Sequence, residues 1–273
     1  MRVLTCATLL ACSLLTGCAT VGNVMGNDTL SLNKEATMAY QQKKREYKID
    51  TTSQTSKRIH RIYNQMVPWA DRANNTGVKF DWELVVFRDD QLNAWAMPGG
   101  KIAFFTGIVE KLNLTDDEIA AIMGHEMAHA LEEHGKEKAN FDLMANFGLV
   151  ALHMTGFGAV GEVAMATQYG GATAYSRSKE READRLGLHL MAQSGYNPAA
   201  GISFWNKVQA ESKKKTIIDK LDAVLSTHPT DEDRLKVMQS LQAEVLPIYQ
   251  AALEGRAHEY TLPVNIKKSR VKK

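Results

Sequence analysis

Cysteine is scarce in this sequence. The three cysteines, Cys6, Cys12 and Cys18, lie in an apolar N-terminal segment, so the rest of the 273-residue chain offers no thiols for an internal disulfide. An excess of charge is absent as well, since 33 lysines and arginines are balanced by 31 aspartates and glutamates. This balance argues against nucleic acid as a partner. With 44% hydrophobic and 23% charged residues, the composition is that of a globular protein with a large core.

Long hydrophobic runs are also missing. Met1-Arg2 followed by an apolar stretch from Val3 to Leu15 is too short for a stable membrane span but typical of a secretory signal peptide. The tetrapeptide Leu15-Thr16-Gly17-Cys18 resembles a bacterial lipobox. That resemblance implies a lipoprotein signal peptide at residues 1–17, lipidation of Cys18 and membrane anchoring through the lipid. An ordinary signal peptide cleaved elsewhere is the alternative. Ala19 favours the outer membrane of a Gram-negative bacterium, with the protein facing the periplasm.

The rest of the chain is predicted to comprise three segments. Residues 18–50 form a flexible tether followed by a charged, solvated helix over residues 33–47. Residues 51–255 form the main domain, which begins with a helix that we expect to end at Pro68. Residues 256–273 form a basic tail.

The motif His125-Glu126-Met127-Ala128-His129 is the strongest chemical signal in the sequence. Residues four apart on a helix share a face, so both imidazoles can bind one zinc ion, and Glu126 lies beside them as a candidate general base. Thr115 and Glu118 predict a capping box that starts this helix. We expect it to end near Gly135, with His134 exposed. The alternative is a core helix whose two histidines bind no metal.

A catalytic zinc site needs a third protein ligand from outside this helix. The best candidate is Glu180, at the start of a second predicted helix. Asp184 lies four residues later on the same face and can accept the spare N–H of a ligand histidine. Taken alone, this segment would be interpreted as the exposed, charged start of a helix. Before it, Gly170 and Gly171 suggest a flexible stretch over residues 168–174.

Three short strands are predicted before the histidine helix, at residues 82–87, 93–97 and 101–105. We expect a small antiparallel sheet beside that helix, with a turn after Met97. In zinc peptidases of this design an edge strand pairs with an extended substrate. The candidate substrate-binding residues are Asn93, Ala94, Trp95, Ala96, Pro98 and Gly99. Equally, this segment could be a hairpin that only covers the core.

Four motifs in the same order resemble the gluzincin peptidase family that includes the CAAX prenyl endopeptidase and the heat-shock membrane protease HtpX. These are Asn93-Ala94 with Pro98-Gly99-Gly100, His125-Glu126 with His129, Ser176-Arg177 with Glu180 and Asp184, and Ser226-Thr227-His228-Pro229 with Arg234. With the lipobox, the sequence is most similar to the periplasmic lipoprotein branch. The resemblance implies one zinc ion at His125, His129 and Glu180, with Glu126 as the base.

The resemblance leaves two roles open for His228. Its side chain would stabilise the oxyanion of the tetrahedral intermediate, or occupy the open zinc position and hold the enzyme latent. Arg234 would act with it. The transmembrane helices of the membrane-embedded relatives are missing from the sequence, which argues against prenylated substrates.

These observations predict an α+β, mainly helical, zincin-like fold in which residues 51–255 are a zinc metallopeptidase domain. The expected function is endoproteolysis of unfolded or misassembled envelope proteins, with the outer-membrane assembly machinery as a possible partner. The alternative is a zinc-stabilised chaperone or assembly factor for outer-membrane proteins with little proteolysis.

Overall fold

The computed structural model describes residues 28–142, 158–212, 228 and 232–263, which form three strands and a larger set of helices. The helices are α1 (Thr29–Glu46), α2 (Gln54–Ala73), α3 (Thr106–Lys111), α4 (Asp116–Leu131), α5 (Gly158–Gln193), α6 (Ala200–Ser212) and α7 (Glu232–Leu253). The strands are β1 (Glu83–Phe87), β2 (Ala94–Met97) and β3 (Lys101–Phe105). This is the mainly helical α+β architecture that the sequence predicts.

Helix α4 is the central element, because α2, α5, α6 and β2 all pack against it. Its start is the predicted capping box: the Thr115 side chain accepts from the Glu118 N–H, and the Glu118 carboxylate accepts from the Thr115 N–H. The apolar residues Ile119, Met123 and Met127 are completely buried. The helix that carries the histidine motif is therefore held on several sides, which fixes the directions of its side chains.

Helices α4 and α5 approach each other closely at a pair of glycines. A Cβ atom at Gly124 would lie 2.5 Å from the carbonyl oxygen of Gly187, and one at Gly187 would lie 2.7 Å from the backbone nitrogen of His125. No side chain fits at either position. The closest approach of the two helices is consequently next to His125.

The sheet is mixed, so the prediction of an entirely antiparallel sheet was wrong. Its strand order is β1-β3-β2, with β1 parallel to β3 and β2 antiparallel to β3. The connection over residues 88–93 crosses the end of β3, where the Gly107 N–H donates to the Asp89 carbonyl over 2.8 Å. A Cβ at Gly107 would lie 2.4 Å from the backbone of Asp90, so glycine permits this crossing. The crossing places β2 at the edge nearest α4.

Helix α1 covers the other face of the sheet. It is the charged helix that the sequence predicts, but it is not solvated all round. Tyr40 is completely buried, and its hydroxyl donates to the Ile102 carbonyl over 3.0 Å. Lys44 forms an ion pair with Glu83 at 2.7 Å. The first turn of the helix reaches the histidine helix, because the Thr29 hydroxyl donates to the Glu133 carboxylate.

Two further expectations about helix boundaries need correction. Helix α2 continues through Pro68 to Ala73. Pro68 and Asn64 are both exposed, so water can satisfy the Asn64 carbonyl that a proline cannot pair. Residues 168–174 lie within α5 and are not a loop. Among the helices described, none combines the length and apolar character that crossing a bilayer requires.

Candidate metal centre

Four side chains from three parts of the chain meet beside the α4–α5 crossing. The metal-ligating atoms of His125, His129, Glu180 and His228 lie within 4.8 Å of one another. The Nε2 atoms of the two α4 histidines are 3.0 Å apart, and each lies 3.3 Å from an oxygen of Glu180. The Nδ1 atom of His228 is 3.1 Å from Glu180 Oε2. The structure thus brings together the three predicted ligands and His228.

The arrangement of these nitrogens fits a bound cation. The Nδ1 atom of His125 lies 2.9 Å from Asp184 Oδ1, and that of His129 lies 2.9 Å from His134 Nδ1, so both outer nitrogens have hydrogen-bond partners. The two Nε2 atoms lie 3.0 Å apart and face the same point, with a Glu180 oxygen 3.3 Å from each. A single cation at that point would contact both nitrogens and the carboxylate. Imidazole nitrogens with one carboxylate are a typical donor set for zinc.

The charges of the cluster depend on burial and on hydrogen bonds. Burial lowers the pKa of His129 to about 3, which keeps this ring neutral, as metal binding requires. Burial acts in the same direction on His125, but hydrogen bonds to Asp184 and Glu180 outweigh it and raise the pKa to about 10. Burial opposes ionisation of Glu180, yet its hydrogen bonds with the three histidines hold its pKa well below the usual range.

Asp184 and Arg234 form a buried layer behind the cluster. The Arg234 guanidinium donates to both oxygens of Asp184, over 2.8 Å from Nε and 2.7 Å from Nη2. Its Nη1 atom lies 3.0 Å from Glu180 Oε2. The same guanidinium stacks on Trp205, 4.5 Å from the ring centre. Arg234 was expected to act with His228; its described contacts hold the two carboxylates of α5.

Glu126 lies beside the cluster and is almost completely buried. Burial raises the pKa of its carboxyl group, while the nearby backbone N–H of Ala96 on β2 acts in the opposite direction. Its Oε1 atom is 3.4 Å from Nε2 of His228. Strand β2 therefore presents a main-chain donor directly at the proposed base.

A groove of about 1390 Å³ runs between β2 and the cluster. Of the predicted substrate-binding residues, Trp95, Ala96, Pro98 and Gly99 line it, together with Glu126, His129 and Glu180. Asn93 lies at the start of β2, where its carbonyl accepts from the Phe105 N–H. Ala94 lines a second, much smaller apolar cavity beside His125 and Glu126, with Ile122, Leu188, Phe204 and Met238 also in its wall.

His134 is the residue that the sequence reasoning missed. It was expected to be exposed, but it is buried against His129. Helix α4 ends at Leu131, earlier than the predicted stop at Gly135, and Glu133 adopts a left-handed conformation with φ of 55°. The backbone then resumes a helical path from residue 134. His129 and His134 are five residues apart, which would place them on different faces of a continuous helix. Their contact could have been predicted only if the end of α4 had been predicted between them.

Comparisons with known proteins find similarity to peptidases. The model of peptidase family M48 matches residues 53–242. The mitochondrial metalloendopeptidase OMA1 of Schizosaccharomyces pombe is 33% identical over 159 residues, which are 58% of this chain and 46% of that protein. The putative beta-barrel assembly-enhancing protease of Vibrio cholerae is 30% identical over 174 residues, 60% of this chain and 35% of that protein. This chain thus spans less than half the length of these relatives.

The matched region runs from α2 through the first half of α7 and so contains all four residues of the cluster. It covers well over half of the chain. The chain belongs to peptidase family M48.

Proposed function

We propose that this chain is a zinc-dependent endopeptidase of the family's periplasmic lipoprotein branch. The observation that carries the proposal is the convergence of His125, His129 and Glu180 on one point, with the buried carboxylate of Glu126 beside them. Residues 51–255 would be the peptidase domain. Zinc, when bound by the three side chains, polarises a substrate carbonyl as a Lewis acid and lowers the pKa of water.

The chemistry assigned to the protein's own residues is proton transfer. Glu126 accepts a proton from the attacking water and passes it to the leaving amine. Its raised pKa brings the carboxyl group closer to the pH at which it must both take and give a proton. Asp184 keeps the Nδ1 proton of His125 in place, so that Nε2 remains the ligand atom.

The substrate is proposed to lie in the groove as an extended strand beside β2. Main-chain pairing along an edge strand gives affinity without demanding a particular sequence. The segment of Asn93, Ala94, Trp95, Ala96, Pro98 and Gly99 would supply these contacts. The apolar cavity beside Glu126 would receive a small apolar side chain of the substrate. Unfolded or misassembled proteins offer both extended backbone and exposed apolar side chains, which makes them the proposed substrates.

The proposed place of action is the periplasmic face of the outer membrane. The lipobox that ends at Cys18 supports lipid anchoring, although this segment lies outside the described residues. The beta-barrel assembly-enhancing proteases of Vibrio cholerae and Yersinia pestis, the latter 25% identical over 201 residues, support a connection with the assembly of outer-membrane proteins.

The position of His228 favours a second candidate function. Because its Nδ1 atom lies among the ligand atoms, the fourth metal position would be filled while His228 stays there. A protein resting in that form would hold clients in the groove and cut them little, as a zinc-stabilised chaperone or assembly factor.

The decisive experiment compares digestion of a permanently unfolded protein by the wild type and by Glu126→Gln, with zinc content measured in both. We expect equal zinc content and a loss of cleavage of about 10²- to 10⁴-fold in the variant, the usual contribution of a general base. Glu35→Gln, which alters an exposed carboxylate on α1, is the control and should cleave normally.

Two other results would count against the endopeptidase. Undiminished cleavage by Glu126→Gln would exclude Glu126 as the base. Zinc binding without any cleavage by the wild type would favour the chaperone, unless His228→Ala restored cleavage.

A further inference from the structure

We propose that His134 is a positioning residue for the metal site: it accepts a hydrogen bond from the Nδ1–H of His129 and is itself held by Glu182. This inference rests on the zinc site proposed above. It assigns a role to a side chain that the sequence reasoning placed in solvent and that the proposed chemistry does not use.

The direction of the hydrogen bond follows from the ligand geometry. The Nε2 atom of His129 points into the cluster, 3.3 Å from Glu180 Oε1. When Nε2 binds a metal ion, the proton of the neutral ring is on Nδ1. The nearest described partner of that nitrogen is His134 Nδ1, at 2.9 Å. His134 must therefore accept through Nδ1 and carry its own proton on Nε2.

A carboxylate lies where this second proton needs an acceptor. The Nε2 atom of His134 is 3.4 Å from Glu182 Oε2. The same oxygen accepts from the Lys179 ammonium over 2.9 Å, and Ser178 donates to the other oxygen over 3.3 Å. These contacts hold the carboxylate near His134. The resulting chain of contacts runs from His129 through His134 to Glu182.

The backbone is bent in a way that serves this contact. Glu133 has φ of 55°, a conformation that residues with a side chain rarely adopt. If α4 had continued, residue 134 would have lain about 140° around the axis from His129, and the two rings could not meet. Thr29 and Lys136 both contact the Glu133 carboxylate, which holds the bend. Strained backbone of this kind persists where the surrounding structure determines it, often at functional sites.

The two ligand histidines would therefore have different partners. His125 donates to Asp184, a carboxylate, whereas His129 donates to a neutral imidazole. A carboxylate is the stronger acceptor and makes the ring that it holds more basic. His129 is thus oriented by its partner and is polarised less than His125.

The test compares two isosteric variants, His134→Asn and His134→Leu, in the full chain. Asparagine offers an amide oxygen near the position of His134 Nδ1, whereas leucine has the same shape and no acceptor. Zinc affinity is measured by competition with a chromophoric chelator, and the geometry of the site by the visible absorption of the protein loaded with Co²⁺. We expect His134→Leu to weaken zinc binding about 10- to 100-fold and to alter the Co²⁺ spectrum. His134→Asn should stay within a few-fold of the wild type.

If His134→Leu does not fold, a substitution at the surface partner of His134 still tests the inference. Glu182 is half-exposed, so Glu182→Gln should fold normally and weaken zinc binding by a few-fold. Glu137→Gln is the matched control. It removes another carboxylate that forms an ion pair with Lys179, and it should change zinc affinity less.

Different results would contradict the role of His134 and the proposed metal site. Equal zinc affinity in His134→Leu, His134→Asn and the wild type would overturn the positioning role, and so would equal losses in both variants, since packing would then be the cause. A wild type that binds no zinc would instead overturn the proposed metal site, and the positioning role with it.

Discussion

At the scale of single residues, the position of His228 would determine how much of the proposed metal site remains for a substrate. Its Nδ1 atom is 3.2 Å from His125 Nε2 and 3.1 Å from Glu180 Oε2, which are distances expected between ligands of one ion. Of the two roles that the sequence left open, this placement favours occupation of the fourth metal position. Its other nitrogen faces Glu126, the proposed base, so the same ring also covers the reacting groups.

Replacement of His228 by alanine tests this role. We expect His228→Ala to bind zinc more weakly, because a ligand is lost, and to cleave an unfolded protein faster, because a position is freed. The gain would be roughly tenfold if the wild-type site rests occupied nine times in ten. Chelator competition and digestion rates at saturating zinc measure the two effects. His258→Ala, at an exposed histidine, is the control. Slower cleavage with unchanged zinc affinity would instead indicate the oxyanion role.

The helical repeat relates site residues to one another only within one regular element, and the meeting of residues from different elements was predicted from the family resemblance. Glu180 and Asp184 are four apart on α5, and the helical repeat placed them on one face without reference to the rest of the chain. The contact of His134 depends on where α4 ends. Glu133 gave no sign of that end, because a left-handed turn is usually marked by glycine or asparagine. The partners of Arg234 depend on how α7 packs against α5, which no local pattern contains.

At the scale of elements, the crossing of α4 and α5 sets the size of the metal site. Two ligands come from one helix and one from the other, so the distance between the helix axes fixes the distance between the ligands. Gly124 and Gly187 allow that distance to be short, and they lie next to His125. The packing of two glycines is thereby linked to metal binding.

Gly187→Ala tests this link. The new methyl group would lie 2.7 Å from the backbone of His125, so the helices must separate. We expect a loss of about 1–3 kcal/mol in the free energy of unfolding, typical of overpacking, and weaker zinc binding. Thermal unfolding and chelator competition measure these effects.

Gly201→Ala is the matched control for this change. Its methyl group would meet only the end of the Leu188 side chain, at 2.9 Å, which can shift. This variant should therefore retain its zinc affinity. Normal zinc binding by Gly187→Ala would show that the crossing does not set the size of the site.

For the strands, the sequence predicted the positions well but not all of the pairing. All three were found close to their true positions because alternating and β-branched residues mark them locally. The predicted pairing of the strands was wrong in part. The chain crosses β3 where the Gly107 N–H donates to the Asp89 carbonyl, and these two residues lie in separate segments of the sequence. Glycine at position 107 was the only local sign of this close approach.

At the scale of the whole molecule, a bound zinc ion would connect separate parts of the chain. His125 and His129 belong to α4, Glu180 belongs to α5, and His228 precedes α7. An ion that binds only the folded arrangement stabilises it by mass action. The general class of the fold was predictable from the helical and strand patterns, and the convergence of His125, His129 and Glu180 was predicted from the family resemblance. Local patterns alone do not contain that convergence, because it depends on how α4 packs against α5.

Removal of zinc should therefore lower the stability of the entire domain. With free zinc about a thousandfold above its dissociation constant, the stabilisation is about 4 kcal/mol. For a domain of this size that corresponds to a decrease in Tm of roughly 10 °C when a chelator is added. Differential scanning calorimetry with and without the chelator measures it.

A ligand variant provides the control for zinc removal. Glu180→Gln, which weakens the proposed ligand, should show a much smaller response to the chelator than the wild type. An equal decrease in both proteins would mean that the chelator acts elsewhere.

The edge of β2 opposite β3 carries no further strand from the described residues, and this bears on how the molecule avoids aggregation. A free strand edge attracts any other chain that can pair with it, including a second copy of the same protein. Here the edge is only four residues long and it lies within a groove. The edge of a folded sheet is too broad to enter the groove and pair with β2, whereas a single extended segment can enter it. The recess that would select unfolded clients thus also protects the molecule from self-association.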